Sequence, residues 1–195
     1  MTTTSEIADI SVAERERAIA TIVTAFSADP VIRWAFPDSQ QYLTYWPELV
    51  HRFAGKAFED GTAYSVGPHH GVALWLRPGV DPDNAGMEEV MQRAVPEQDQ
   101  ERIFGFLSQM DEYHPDEPLW YLPVLGVDPT HQGQGLGSAL LAHALSEVDK
   151  EGKAAYLEAS SERNRDLYAR HGFEVIGTIQ FADSPPAFPM LRKPR

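Results

Sequence analysis

The stretch from residue 119 to 148 constrains this chain more than any other. LWYLPVLGV is a long apolar run ending at Asp128-Pro129, and HQGQGLGS follows at 131–138. Leu136, Leu140, Leu141, Ala144, Leu145 and Val148 then recur at helical spacing, so the segment reads as strand, glycine loop and helix. Gly152 supplies a stop, and AAYLEAS at 154–160 reads as a second strand. Two strands joined through a helix should lie parallel.

The glycine loop sits where a helix begins. There the first N–H groups lack internal partners and the macrodipole adds about half a positive charge, so an anion is favoured. Glycine at Gly133, Gly135 and Gly137 removes side chains from the path of a diphosphate and permits turned backbone that aims successive amides at one point. A single glycine would fit a tight packing turn equally well. Three in one strand-to-helix turn favour a phosphate cradle.

Elsewhere the chain reads as short, ordinary elements. Ser11 and Glu14 form a capping-box pattern ahead of Ile19, Ile22, Val23 and Phe26, predicting a helix over 12–26 that Asp29-Pro30 ends. A second helix is predicted over 40–57, and TAYSV at 62–66 with GVALWLR at 71–77 reads as a hairpin. Helical pieces are predicted near 87–94 and 98–111, and a short helix from Asn164 to His171 closes at Gly172. Closing strands are predicted over 173–181 and 188–191.

Composition narrows the function classes. At 195 residues the chain suits a single domain, 1–195, around one good core. Cysteine is absent, which excludes disulfides, thiolate metal sites and a cysteine nucleophile. The formal net charge of -13 argues against nucleic acid and anionic membranes as partners and suits a cationic small substrate. No window approaches the ~20 apolar residues of a membrane span, and no leader pattern is read at the start, so a cytoplasmic protein is expected.

Three kinds of phosphate loop compete for HQGQGLGS. A P-loop needs Lys then Ser or Thr after its last glycine, whereas Ser138 and Ala139 follow Gly137. The dinucleotide fingerprint G-x-G-x-x-G places Ser138 or Leu140 where its third glycine belongs. The pattern Gln/Arg-x-x-Gly-x-Gly/Ala is met by Gln132, Gly135 and Gly137, with Val127-x-Pro129 upstream. These residues resemble the coenzyme A signature of the GNAT superfamily of N-acetyltransferases. NRDLYARHGF at 164–173 resembles that family's Asn-x-x-x-Tyr-x-x-x-Gly-Phe segment, with Asn164, Tyr168, Gly172 and Phe173 in register. EPLWYLPVLGV, QGQGLGSALL, YLEAS and LRKP are similar to the puromycin N-acetyltransferase-like branch. The resemblance covers 112–195 well and the first half in outline.

The resemblance implies an α/β fold with an α+β mixed central sheet, two splayed central strands and flanking helices. It implies direct transfer of an acetyl group from acetyl-CoA to an amine. In the family the donor lies between the splayed strands, so Leu125, Gly126 and Val127 would bond its pantetheine arm, with Asn164 contacting that arm. Gln132, Gly133, Gln134, Gly135, Leu136, Gly137 and Ser138 would take the pyrophosphate. Pro123, which cannot donate a ladder hydrogen bond, fits an interrupted or bulged strand there. Tyr168 is the general acid by motif, protonated at neutral pH by an ordinary pKa of about 10.

The general base has no direct match, because WYLPVLGV contains neither acid nor histidine. Glu158 on the next strand is the strongest candidate, since an acid among apolar strand residues is costly unless exposed or paired; it could instead orient Tyr168. His114 and Glu117 are the alternatives. Arg163 and Arg165 read as a solvated face, His131 as shaping the loop, and His69-His70 as a turn, with no metal site expected. Residues 1–118 should supply the acceptor side and 119–195 the acetyl-CoA core. Trp34, Trp46 and Tyr121 are expected to line a pocket for a small-molecule amine, because aromatic faces hold cationic or planar groups. The alternatives are a non-catalytic acyl-CoA sensor and a dinucleotide-dependent oxidoreductase. A homodimer is possible, being frequent in the superfamily.

Overall fold

The computed structural model describes residues 6–195; the part of the 1–195 domain expectation and of the leaderless start that falls on residues 1–5 lies outside it. Chain entry is set by local caps. After β1 (Ile7–Asp9), a single turn at Val12–Glu14 leads into α1 (Arg15–Ala25), and the Glu14 carboxylate accepts from both Ser11 N and Ser11 Oγ. Asp29-Pro30 does more than end a helix. Pro30 is the first residue of α2 (Pro30–Ala35), and the Asp29 carboxylate caps it by accepting from the amides of Val31 and Ile32. Asp38 caps α3 (Ser39–Ala54), and the predicted 40–57 helix breaks at Gly55 before the short α4 (Lys56–Glu59).

The hairpin forms as read, from β2 (Ala63–Val66) and β3 (Gly71–Leu76). The polar region beyond it folds into α5 (Asn84–Ala94) and α6 (Glu97–Tyr113), both longer than their periodicity suggested. β4 (Trp120–Val127), α7 (Leu136–Lys150) and β5 (Ala155–Ala159) come next, then α8 (Glu162–Arg170), β6 (Glu174–Val175) and β7 (Phe188–Arg192). Among the described residues one mixed sheet of seven strands has the order β1-β2-β3-β4-β5-β7-β6. Its faces are covered on opposite sides. Val72, Leu74 and Leu76 of β3 join the cluster under α1, α3 and α5, whereas Ala73 and Trp75 join the cluster under α7, as strand alternation requires. Leu140 and Leu141 are fully buried in the latter, where truncation to Ala costs about 2–5 kcal/mol.

One expected strand is corrected. Residues 173–181 keep only Glu174–Val175 in the ladder, followed by an isolated bridge from Ile179 to Ala187. The cause is docking against α6. The Phe181 ring fills the space beside Gly105, and the Tyr113 ring fills the space beside Gly177; both approaches would clash with a Cβ, and they hold the segment off the sheet.

Two irregularities lie at the sheet centre. β4 and β5 are parallel but pair only at Trp120↔Ala155 and Tyr121↔Tyr156, so they part beyond that point. On its other edge β4 shifts register against β3, from Leu76↔Tyr121 to Leu74↔Val124. Leu122 and Pro123 therefore face a single residue, Trp75. This is a β-bulge at the proline that lacks a ladder donor. It lets Tyr121 and Val124 join the same core cluster although they are three residues apart.

Candidate active site

The loop after β4 is held by its own side chains. Asp128 accepts from Thr130 N at 2.8 Å. Gln132 Nε2 donates to the Val127 carbonyl at 3.1 Å, and Gln132 Oε1 accepts from Arg163 at 3.3 Å. His131 stacks on His70 with ring centroids 3.7 Å apart, which fits its reading as a shaping residue. Gly133 and Gly135 adopt φ of 76° and 80°, the left-handed region in which a side chain is strained. A Cβ at either would point into open space. Gly137 differs and corrects the reading of three equivalent glycines. It lies in the first turn of α7 outside the left-handed region, where a Cβ would meet Leu125 and Leu167 at an ordinary 3.5 Å.

Among the described residues, no amide from Gly133 through Ser138 donates to a protein acceptor. All but that of Gln134 belong to residues bordering a cleft of about 400 Å³ lined by Leu125, Gly126 and Val127 on one side and Arg163, Asn164 and Arg170 on the other. Unpartnered donors, a helix N-terminus and open space in place of side chains fit a diphosphate. Gln132, Gly133, Gly135, Leu136, Gly137 and Ser138 also line the cleft, but Gln134 is exposed at the loop tip and does not. Ser138 Oγ lies 2.7 Å from His171 Nε2. Arg165 points elsewhere, pairing with Asp166 at 3.1 Å.

Ser161, and not Asn164, caps α8, its Oγ accepting from Asn164 N at 3.3 Å. The Asn164 side chain is thus free of capping and donates to Ser160 Oγ at 3.3 Å. Ser160 in turn donates to Asp29 Oδ2, while Asp29 Oδ1 holds the amides of Val31 and Ile32 at 3.0 and 3.1 Å. Burial pushes the Asp29 carboxyl up, against these hydrogen bonds. Sequence reasoning missed this chain of contacts. The Asp-Pro helix start was a usable signal for Asp29 as a cap; nothing local marked its bond to Ser160.

A second cavity, of about 610 Å³, opens on the other side of the splayed strands. Trp34, Trp46 and Tyr121 all line it, together with Glu158, Ser160 and Tyr168. Phe26, Leu125 and Asn164 line both cavities and so mark where they meet. Tyr168 is one helical turn beyond Asn164, on the same face. It is buried, and its hydroxyl has no hydrogen-bond partner among the described residues. Burial, then the Asp29 charge, push that hydroxyl well above the ordinary tyrosine range, so it stays protonated. Phe173 packs edge-on against it with centroids 6.1 Å apart.

Glu158 accepts a hydrogen bond from the Tyr121 hydroxyl at 2.8 Å. Burial pushes its carboxyl up to about 7, opposed first by that hydrogen bond. The carboxylate does not bond Tyr168, so an orienting role on that residue finds no contact. His114 lies edge-on to Tyr121 and Tyr156 at 4.8 and 4.9 Å, and burial lowers its basicity. Glu117 is exposed and outside the cavity lining. Trp34 donates from Nε1 to Asp183 at 3.2 Å and lines the cavity. Among the described residues no cluster of three or more His, Asp or Glu could hold a metal ion, and no helix is long and apolar enough to cross a membrane.

Known proteins resemble this chain in sequence and in fold. Residues 94–175 match the family described as an acetyltransferase (GNAT) domain. An uncharacterised N-acetyltransferase of Schizosaccharomyces pombe is 27% identical over 92% of this chain and 79% of its own. The mycothiol acetyltransferase of Kocuria rhizophila is 39% identical over 42% of this chain, which spans only 28% of that relative. Among solved structures, the histone acetyltransferase HPA2 and related acetyltransferase of Corynebacterium glutamicum superposes with a TM-score of 0.70 at 26% identity, covering 98% of this chain and 97% of that one. Arylalkylamine N-acetyltransferase 2 of Aedes aegypti shares the fold, with a TM-score of 0.73 at 16% identity over 99% and 100% of the two chains. Acetyltransferases of this kind generally use acetyl-CoA. The match over residues 94–175 to an acetyltransferase (GNAT) domain, on a fold shared with such enzymes, makes the chain an acyltransferase.

Proposed function

We propose that this enzyme moves an acetyl group from acetyl-CoA directly to the amine of a small molecule. The observation that carries the reading is the meeting of two unlike cavities at Phe26, Leu125 and Asn164. A diphosphate-fitting cleft opens on one side and an aromatic chamber on the other. The reading takes residues 1–195 as one domain, with 1–118 mainly forming the acceptor side and 119–195 the donor side. Antibiotic-like amines belong to it through the resemblance to the puromycin N-acetyltransferase-like branch.

Bound acetyl-CoA supplies an acyl carbon on a thioester, open to attack by an amine and left by sulfur. The chain's own groups do the rest. Amides of Gly133 to Ser138 hold the diphosphate, and the backbone of Leu125, Gly126 and Val127 with the Asn164 side chain aligns the arm between β4 and β5. An ammonium cannot attack, so its proton must leave first. Glu158, raised to about 7 by burial against the opposing hydrogen bond from Tyr121, is part ionised at pH 7 and accepts that proton. Tyr168 keeps its proton and donates it from the hydroxyl toward the departing sulfur.

Free-thiol release from acetyl-CoA, measured with a panel of puromycin, aminoglycosides, polyamines and amino acids, tests the reading. Release with at least one amine is expected, as is a higher melting temperature with acetyl-CoA than with NADPH. Stabilisation by acetyl-CoA with no release from any amine identifies a sensor and ends the proposal.

A further inference from the structure

We infer that the acceptor is an amine with an apolar body that enters as a cation and carries no carboxylate; this rests on the acetyl-transfer reading above. The chamber sets these requirements itself. Its walls include Trp34, Phe53, Met87, Met91, Phe104 and Leu107, and its volume of about 610 Å³ suits a ring- or chain-bearing molecule. Asp81, Glu88 and Asp111 are exposed and line it, so they form a carboxylate rim. Glu158 lies deeper, half-buried beside Tyr121. Among the described residues no Lys or Arg lines the chamber. The donor cleft is the reverse, with Arg163 and Arg170 in its wall.

The cations on flanking elements do not line the chamber and are engaged by other partners, Lys56 by the backbone of Asp81 and Arg102 by the Trp34 ring among them. Arg52 pairs with Asp83 at 2.9 Å, Lys56 donates to the Asp81 carbonyl at 2.7 Å, and Arg93 pairs with Glu48 at 2.7 Å. The Arg102 guanidinium lies over the Trp34 ring, 4.7 Å from its centroid, and pairs with Asp99 and Asp183. An amine bearing a carboxylate would bring an anion into an apolar box among four acids with no cation to meet it. Burying an unpaired charge is costly, and like charges brought together cost several kcal/mol more. A cationic amine gains from the same rim, which raises its local concentration in a salt-dependent way. Inside, Glu158 meets the ammonium while the walls cover the apolar body.

The test compares phenethylamine with phenylalanine, which differ only by the α-carboxylate, using free-thiol release by the full chain. The amino acid should show kcat/KM lower by about 100-fold or more. Reversing the rim with Glu88→Lys and Asp111→Lys should narrow that ratio about tenfold and raise KM for phenethylamine. KM for acetyl-CoA should stay constant, because neither residue borders the donor cleft. Equal turnover of the two amines, or a ratio indifferent to rim reversal, overturns the inference and leaves acetyl transfer standing. If no amine releases thiol, the transfer reading fails by itself. The melting shift in the presence of coenzyme A then decides: stabilisation by phenethylamine alone supports the chamber's selectivity, and equal shifts refute it.

Discussion

The two cavities are built by opposite means. The donor cleft draws on two short stretches, 125–138 and 163–170, with Ala25, Phe26 and Asp29 closing it, and its best donors are backbone amides. The acceptor chamber gathers side chains from α2, α3, α5, α6, β4, β5 and α8. A ligand part that never varies can be held by backbone geometry, which needs particular residues at particular spacings. A ligand part that varies between relatives is held by side chains, which can be exchanged without disturbing the chain path.

The largest effect that would sharpen this contrast lies inside the acceptor chamber. Glu158→Gln should lower kcat by about 1,000-fold with the affinity for acetyl-CoA unchanged, measured by thiol release and ligand titration. Its stability effect has a defined sign. The folded carboxyl holds its proton up to about 7, above the ordinary value of 4.5. Between those values the folded state binds more protons than the unfolded one, so the native protein loses stability as pH rises through that window. The Gln variant lacks this loss. It should melt higher than the native protein at pH 8 and alike at pH 4. In the native enzyme, kcat/KM should climb as pH rises through about 7.

Tyr168→Phe should cost about 100-fold in kcat, again with acetyl-CoA affinity spared. An unchanged kcat removes Tyr168 from the proton path. A smaller pair of effects separates the glycines. Gly135→Ala should lose about 1–2 kcal/mol of stability from its left-handed backbone and raise KM for acetyl-CoA, since the added methyl enters the cradle. Gly137→Ala should stay within about 0.5 kcal/mol by thermal melting. If both glycines respond alike, the cleft is not held by backbone geometry in the way described.

This division also explains what could be read from the chain alone. The strand, loop and helix over 119–148, the Asn164-to-Tyr168 spacing and the bulge at Pro123 follow from local rules of periodicity, glycine conformation and a missing N–H. Trp34, Trp46 and Tyr121 were legible as wall residues because aromatic faces hold cationic or planar groups. Asp29 was read only as a terminator, because its partner Ser160 is 131 residues away. The Glu158–Tyr121 bond was hidden for a related reason: it crosses two strands that share only two paired positions. The three-residue β1 and six-residue α2 were too short for a periodic signal. The over-long strand at 173–181 failed because its hydrophobic residues are spent on α6, through Gly105 and Gly177.

The lack of lysine and arginine among the described residues that line the acceptor chamber bears on the end of the proposed reaction as well as its start. Acetylation turns an ammonium into a neutral amide. On the proposed reaction the carboxylates that draw the substrate in therefore lose their hold at the moment of transfer, and the product keeps only its apolar contacts. Departure is driven by the same chemical change that the enzyme brings about, so product should compete poorly with fresh amine even when it accumulates.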